Sequence, residues 1–186
     1  AENDNPLFYH CKTWNLNEIK KIKNYYNVTV NDLLYTILVK ALQKYCKKKI
    51  SISSMSIFNL RDYIKDENKQ NIPPNQFGFM ILMNNIYNET PAKLLEKNHQ
   101  KFSHQKSSPL IYVIIQFLHI IYSIAPTFVV KIIKKLGHKS TFGLSNFQTF
   151  STRNYVQGFP VINISNMVIP YAVGSLFTIV SYDDKI

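Results

Sequence analysis

Five histidines, His10, His99, His104, His119 and His138, are the side chains here best suited to move a proton near neutral pH. None is adjacent to another. His119 stands alone in an apolar run without an orienting acid, and reads first as a hydrogen-bonded core residue. A serine nucleophile in a G-x-S-x-G turn is absent. The five glycines are scattered singly, so no glycine-rich loop is available to cradle phosphate. Cys11 and Cys46 belong to no CxxC or Cys/His cluster, which argues against a disulfide framework, a zinc site or any other metal site. Paired acids are absent from apolar contexts, and Asp183–Asp184 falls in a terminal turn. What remains is a set of binding candidates. Asn31 and Asp32 precede a long apolar helix, Arg61 can meet a phosphate or the nearby Asp62 and Asp66, and Gly78 lets the backbone bend or approach another group. Ser145 and Asn146 can form a turn that hydrogen-bonds a sheet.

The elements that would carry these residues follow from periodicity. Leu16, Ile19, Ile22 and Tyr26 mark a helix capped by Asn15, with Glu18 placed for a capping box. Leu33, Leu34, Ile37, Leu38, Ala41, Leu42 and Tyr45 mark a second helix over 29–46, with Thr29 and Asn31 as caps and Asp32 as a first-turn acid. Residues 7–12, 50–60 and 75–86 read as strands, and 91–106 as a helix with Pro91 at its first position. Residues 109–133 form the most apolar stretch, which Pro126 divides into two helices. It reads as a lipid-facing helix, as a core or partner-facing helix, or as a true span; Gln116, His119 and Ser123 argue against a clean span. Three strands follow, at 141–147, 160–166 and 175–182. The mixture predicts an α/β sandwich with a mixed sheet in one domain over 1–186.

Composition bounds the partners. The chain has 186 residues, 46% hydrophobic and 18% charged, a globular balance. Its net charge of +11 is almost all lysine, with Arg61 and Arg153 the sole arginines. Specific nucleic-acid binding is therefore not expected, whereas an anionic membrane surface or an acidic protein neighbour suits the charge. AENDNPLFYH lacks the basic start and apolar run of a signal peptide. It also lacks an initiator Met, so the chain is expected to be processed or a piece of something longer.

The stretch WNLNEIKKIKNYYNVTVNDLLYTILVKALQKY resembles the start of the C-terminal half of the wax ester synthase/diacylglycerol acyltransferase family, with its V-T-x-N-D turn before a long apolar helix. SIFNLRDY is similar to that family's P-V-x-x-R strand, PPNQFGFMILM to its G-N-x-F strand, and LFTIVSYDDKI to its final L-x-I-x-x-L-S-Y-x-G-x-L strand. TFGLSNFQTF stands where the family has S-N-V-P-G-P. Gln148, Thr149 and Phe150 replace the Pro-Gly-Pro, and Pro74 stands where Gly often precedes Asn75.

The resemblance implies the C-terminal lobe of a CoA-dependent acyltransferase-like sandwich, a mixed β-sheet flanked by helices. It implies an O-acyltransferase moving a fatty acyl group from acyl-CoA to a long-chain alcohol or diacylglycerol. The family's adjacent histidine pair with its following Asp and Gly does not occur here, so no catalytic residue is expected on this chain, and acyl-CoA enters as a substrate rather than a bound cofactor. Asn31, Asp32, Asn75, Gln76, Phe77, Gly78 and Asn146 would line or brace a substrate channel, and Arg61 would meet a CoA phosphate. For Asn31 and Asp32 a plain helix cap explains the residues equally, and for Gly78 a strand bulge does. Ile111, Ile115, Phe117, Leu118, Ile121 and Phe128 would form a membrane or partner surface. The expected partners are an N-terminal acyltransferase lobe or other subunits, and a lipid surface. The expected location is intracellular and membrane-associated, with endoplasmic reticulum and mitochondrion both open. The alternative is a catalytically inactive acyltransferase-fold subunit, structural in a membrane-bound or mitochondrial assembly.

Overall fold

The structure is a computed structural model that describes residues 12–46, 51–59, 77–85, 89–149, 151–166 and 173–186. Arg61, Asn75, Gln76 and most of the strand expected at 7–12 lie outside the described residues. Helices α1 (Leu16–Tyr25) and α2 (Val30–Cys46) come first, then strands β1 (Ser51–Asn59) and β2 (Phe77–Asn85). Helices α3 (Pro91–Ser107), α4 (Pro109–Ile124) and α5 (Pro126–His138) follow, with Pro126 separating the last two as anticipated. β3 (Phe142–Gln148), β4 (Tyr155–Val156), β5 (Phe159–Pro160) and β6 (Leu176–Ser181) complete the chain.

The principal sheet runs β2-β1-β3-β6, with β1 antiparallel to β2 and parallel to β3, and β3 parallel to β6. Helices α2 and α3 pack on one face. That core joins Tyr35 and Val39 of α2, Leu94 and Phe102 of α3, Ile52, Met80 and Leu82 of the antiparallel pair, and Phe142 and Leu144 of β3. A second cluster ties Leu16 and Ile19 of α1 to Leu33, Leu34, Leu95 and Ile186. On the other face of the sheet Phe79, Ile81, Met83 and Phe147 are exposed.

Local chemistry explains the element boundaries. Asn15 accepts a hydrogen bond from the Asn17 amide at 2.8 Å and caps α1. The α1–α2 corner is a Schellman turn: Val28 N–H bonds Lys23 C=O, Asn27 N–H bonds Asn24 C=O, and Asn27 takes the left-handed conformation at φ 51°. β4 and β5 close through Gln157 and Gly158, both at positive φ, as a two-residue hairpin requires.

Two expectations change. The α2 stripe is buried or packed on the core at Leu33, Leu34, Leu38 and Leu42, but Ile37 and Tyr45 are exposed, and Asp32, Tyr35, Thr36 and Val39 widen the buried side. Residues 161–166 form no strand. Val161 N–H bonds Asn154 C=O, and the Tyr182 hydroxyl donates to Val161 C=O, so one side chain and one backbone bond hold what a ladder would otherwise hold. β1 turns Ser54 and Ser56 into the helix-covered face, although its apolar residues change phase between Ile52 and Met55. The phase change is no bulge, because the β1–β2 register is unbroken from Ser51↔Asn85 to Asn59↔Phe77.

Tyr35 accounts for Ser54. Its buried hydroxyl lies 2.8 Å from Ser54 Oγ and accepts from Asn84 Nδ2 at 2.9 Å. Lys101 Nζ donates to Asn84 Oδ1 and to Met83 C=O, and Ser54 Oγ donates to Leu82 C=O. The bonds form one directional chain from the α3 amine through Asn84, Tyr35 and Ser54 to the β2 backbone. Buried polar groups linked in this way polarise one another. Lys101 and Gln105 of α3 also donate to the outward carbonyls of Met83 and Ile81, so the β2 edge is closed to strand addition along this stretch.

Burial pushes the Tyr35 hydroxyl from 10.0 up to about 12, against the smaller opposing effect of its bonds to Ser54 and Asn84. A phenol held neutral in the fold contributes fully below the unfolded pKa and loses that contribution as pH rises from about 10 to about 12. The difference corresponds to about 3 kcal/mol. Urea unfolding should therefore show an alkaline loss of that order across this interval. Tyr35→Phe should flatten the loss and cost about 1–3 kcal/mol at neutral pH, because Asn84 and Ser54 lose a buried partner. An unchanged alkaline limb in the variant would contradict the assignment.

Candidate functional site

Thr29 and Asp32 start α2 with a reciprocal cap. Thr29 Oγ1 accepts from the Asp32 amide at 3.2 Å, and Asp32 Oδ2 accepts from the Thr29 amide at 2.9 Å. The same Oδ2 lies 2.7 Å from His99 Nδ1 on α3. An ionised carboxylate only accepts, so Nδ1–H is the donor and Nε2 is left for another role. The carboxylate is 1% exposed and the imidazole about one-third exposed. Thr36 Oγ1 donates to Asp32 C=O at 2.7 Å and accepts from Asn98 Nδ2 at 3.0 Å. One turn of α2 and one turn of α3 are therefore held together by Asp32, Thr36, Asn98 and His99. Asn31 Oδ1, Asp32 Oδ1 and Asn98 Oδ1 are buried without a hydrogen-bond partner among the described residues.

Two concavities flank this junction. A small cavity of about 140 Å³ lies at the carboxyl ends of the parallel strands β3 and β6 and is lined by Leu16, Lys20, Val30, Asn146 and Ser181. The carboxyl edge of parallel strands is where α/β sheets place ligands. An amine and a carboxamide there suit a small anionic or carbonyl group. A larger groove of about 340 Å³ runs between α1, α2 and α3, lined by Ile22, Tyr26, Leu33, Thr36, Ile37, Lys40, Pro91, Ala92 and Leu95. It explains why Ile22, Tyr26 and Ile37 remain exposed on otherwise apolar stripes. Lys40 Nζ donates to Glu89 C=O and to Gln43 Oε1. The groove is apolar enough for an aliphatic tail.

The sequence candidates separate in space. Asn31 and Asp32 begin α2, and Asp32 is enclosed rather than facing an open channel. Asn146 sits at the small cavity. Phe77 opens β2. Gly78 is buried and pairs with Phe58 in unbroken register, so no bulge stands there. Phe117 and Phe128 are exposed on α4 and α5, Leu118 and Ile121 are half-buried, and Ile111 and Ile115 fall within α4. Among the described residues no cluster of His, Cys, Asp or Glu could hold a metal ion. Sequence reasoning missed His99 and Asn98. The Thr29-x-x-Asp32 spacing was a usable signal for the cap, but nothing local announces a partner 67 residues away.

A mixed sheet covered on one face by two helices, with its helix junction at the carboxyl edge of the parallel strands, defines an α/β lobe. Residues 74–186 match the family model described as the WS/DGAT C-terminal domain, and the chain belongs to that family. The fold is also that of the wax ester synthase/diacylglycerol acyltransferase from Marinobacter aquaeolei VT8, at TM-score 0.56 and 16% identity, over 94% of this chain and 39% of that one. The chain thus spans well under half the length of that structure. No curated protein matches it.

Thr36→Val keeps the volume and removes the hydroxyl that serves both Asp32 and Asn98. It should cost about 1–3 kcal/mol in urea unfolding, because the buried Asn98 amide loses its acceptor. Thr36→Ser should recover most of that. Equal stabilities for both variants would show that the hydroxyl does not join the helices.

Proposed function

We propose that this lobe works in an O-acyltransferase that moves a fatty acyl group from acyl-CoA to a long-chain alcohol or diacylglycerol. The observation that carries the reading is membership of the WS/DGAT C-terminal domain family over residues 74–186. The attack on the thioester needs a base to take the acceptor hydroxyl proton, and the attacking oxygen then displaces the CoA thiolate. That base would come from a companion lobe, since the histidines of this sequence are isolated from one another. This lobe would supply shape. Phe79, Ile81, Met83 and Phe147 leave part of one sheet face apolar and exposed, suited to walling a cleft for long aliphatic substrates once the companion covers it. Asn146 and Lys20, at the strand ends, would meet the polar end of a substrate.

The test is acyl transfer from palmitoyl-CoA to hexadecanol and to diacylglycerol by the full-length protein that carries this lobe. Turnover is expected. Ile81→Glu or Met83→Glu, each on the open face, should lower it by tenfold or more without shifting the urea midpoint of the lobe. No turnover with either acceptor, with co-purification in a large complex, would replace this reading with a structural, catalytically inactive subunit.

A further inference from the structure

Helices α4 and α5 form a hairpin whose surface the transferase reading leaves unused. On α4, Leu110, Val113, Phe117, Ile120 and Ile124 recur at helical spacing and are all exposed, Ile124 at 80%. The helix has no charged residue in its 16 positions. Its exposed Ser123 returns its hydroxyl to Ile120 C=O at 2.7 Å, so the donor is satisfied without water. On α5, exposed Lys131, Lys135 and His138 run along one side, and exposed Phe128 and Leu136 lie beside them. From Lys97 to Tyr182 the sequence contains neither Asp nor Glu.

We propose that the α4–α5 hairpin docks on an anionic lipid surface, with the α4 stripe entering the acyl boundary and the α5 lysines meeting the headgroups. Charge selects this occupant over a protein. An apolar element on an acid-free, cationic segment complements a negatively charged leaflet, and lysines flanking an apolar stripe suit a helix lying in the membrane interface. Length selects docking over spanning. Sixteen residues make a helix of about 24 Å against a hydrocarbon core of about 30 Å, and no helix among the described residues is long and apolar enough to cross a membrane. The hairpin therefore enters one leaflet. This does not depend on acyl transfer, and its test reads binding alone.

The test is flotation of the full-length protein with vesicles of phosphatidylcholine alone or with about 30% phosphatidylglycerol. Binding should be stronger to the anionic vesicles. The double substitution Lys131→Gln/Lys135→Gln should weaken that binding by about tenfold or more, at about fivefold per lysine, and leave binding to neutral vesicles unchanged. Phe117→Gln/Ile120→Gln should lower binding to both. In a Trp14→Phe background, Phe117→Trp is a milder change; its emission should shift to the blue on vesicles and be quenched by brominated lipid tails. Absence of vesicle binding, binding indifferent to both double substitutions, or a Phe117→Trp signal untouched by brominated lipid would overturn the proposal and assign the stripe to a protein partner.

Discussion

A buried carboxylate needs partners on the spot, and in this lobe Asp32 draws them from two helices through Oδ2, while Oδ1 has none among the described residues. One oxygen takes the amide that starts α2 and the imidazole of α3. Leaving such a charge without its partner is far more damaging than never burying it. The consequence is geometric. With α2 and α3 fixed to each other at their junction, Tyr35 and Phe102 meet edge to face and Tyr35 reaches Ser54 on the sheet. The helix layer is therefore docked by directional bonds at both ends of Tyr35's neighbourhood, not by apolar contact alone.

That arrangement makes the two faces of the sheet different in kind. The covered face mixes Ile52, Met80, Leu82, Phe142 and Leu144 with a satisfied polar chain, which specifies how the helices sit. The opposite face presents Phe79, Ile81, Met83 and Phe147, all partly exposed. Gly143 stands on that face. A Cβ there would approach Leu176 Cδ1 to 2.8 Å, so the Leu176 side chain lies over the space a glycine leaves. The groove between α1, α2 and α3 and the cavity at the strand ends both border the Asp32 turn, which places the concave surfaces of the lobe around its most constrained point.

Local signals told most of the fold. Proline at the first turn of α3 and the apolar runs of β1, β2 and β6 set those elements within a residue or two of where they stand, and Pro126 set the start of α5, which runs on to His138. Burial was less legible because a helix between a sheet and two helices is covered on more than one side. Tyr35 and Val39 face the sheet, while Ile37 faces a groove, and no single stripe describes both. Ser54 lies on the helix-covered face of β1, and only the tyrosine hydroxyl 19 residues earlier explains it. The resemblance to the acyltransferase family was carried by motifs in order rather than by any one of them. The site was least legible: His99 and Asn98 join Asp32 and Thr36 through tertiary contact, which no spacing encodes.

The most direct measurement is a double-mutant cycle between Asp32 and His99, with Asp32→Asn, His99→Gln and the pair compared by urea unfolding near neutral pH. The account predicts that the two losses overlap, with a coupling of about 1 kcal/mol or more, because each substitution alone strands the other group. Strict additivity would show that the helices are held by their apolar contacts and that the buried carboxylate serves its own helix cap and nothing further.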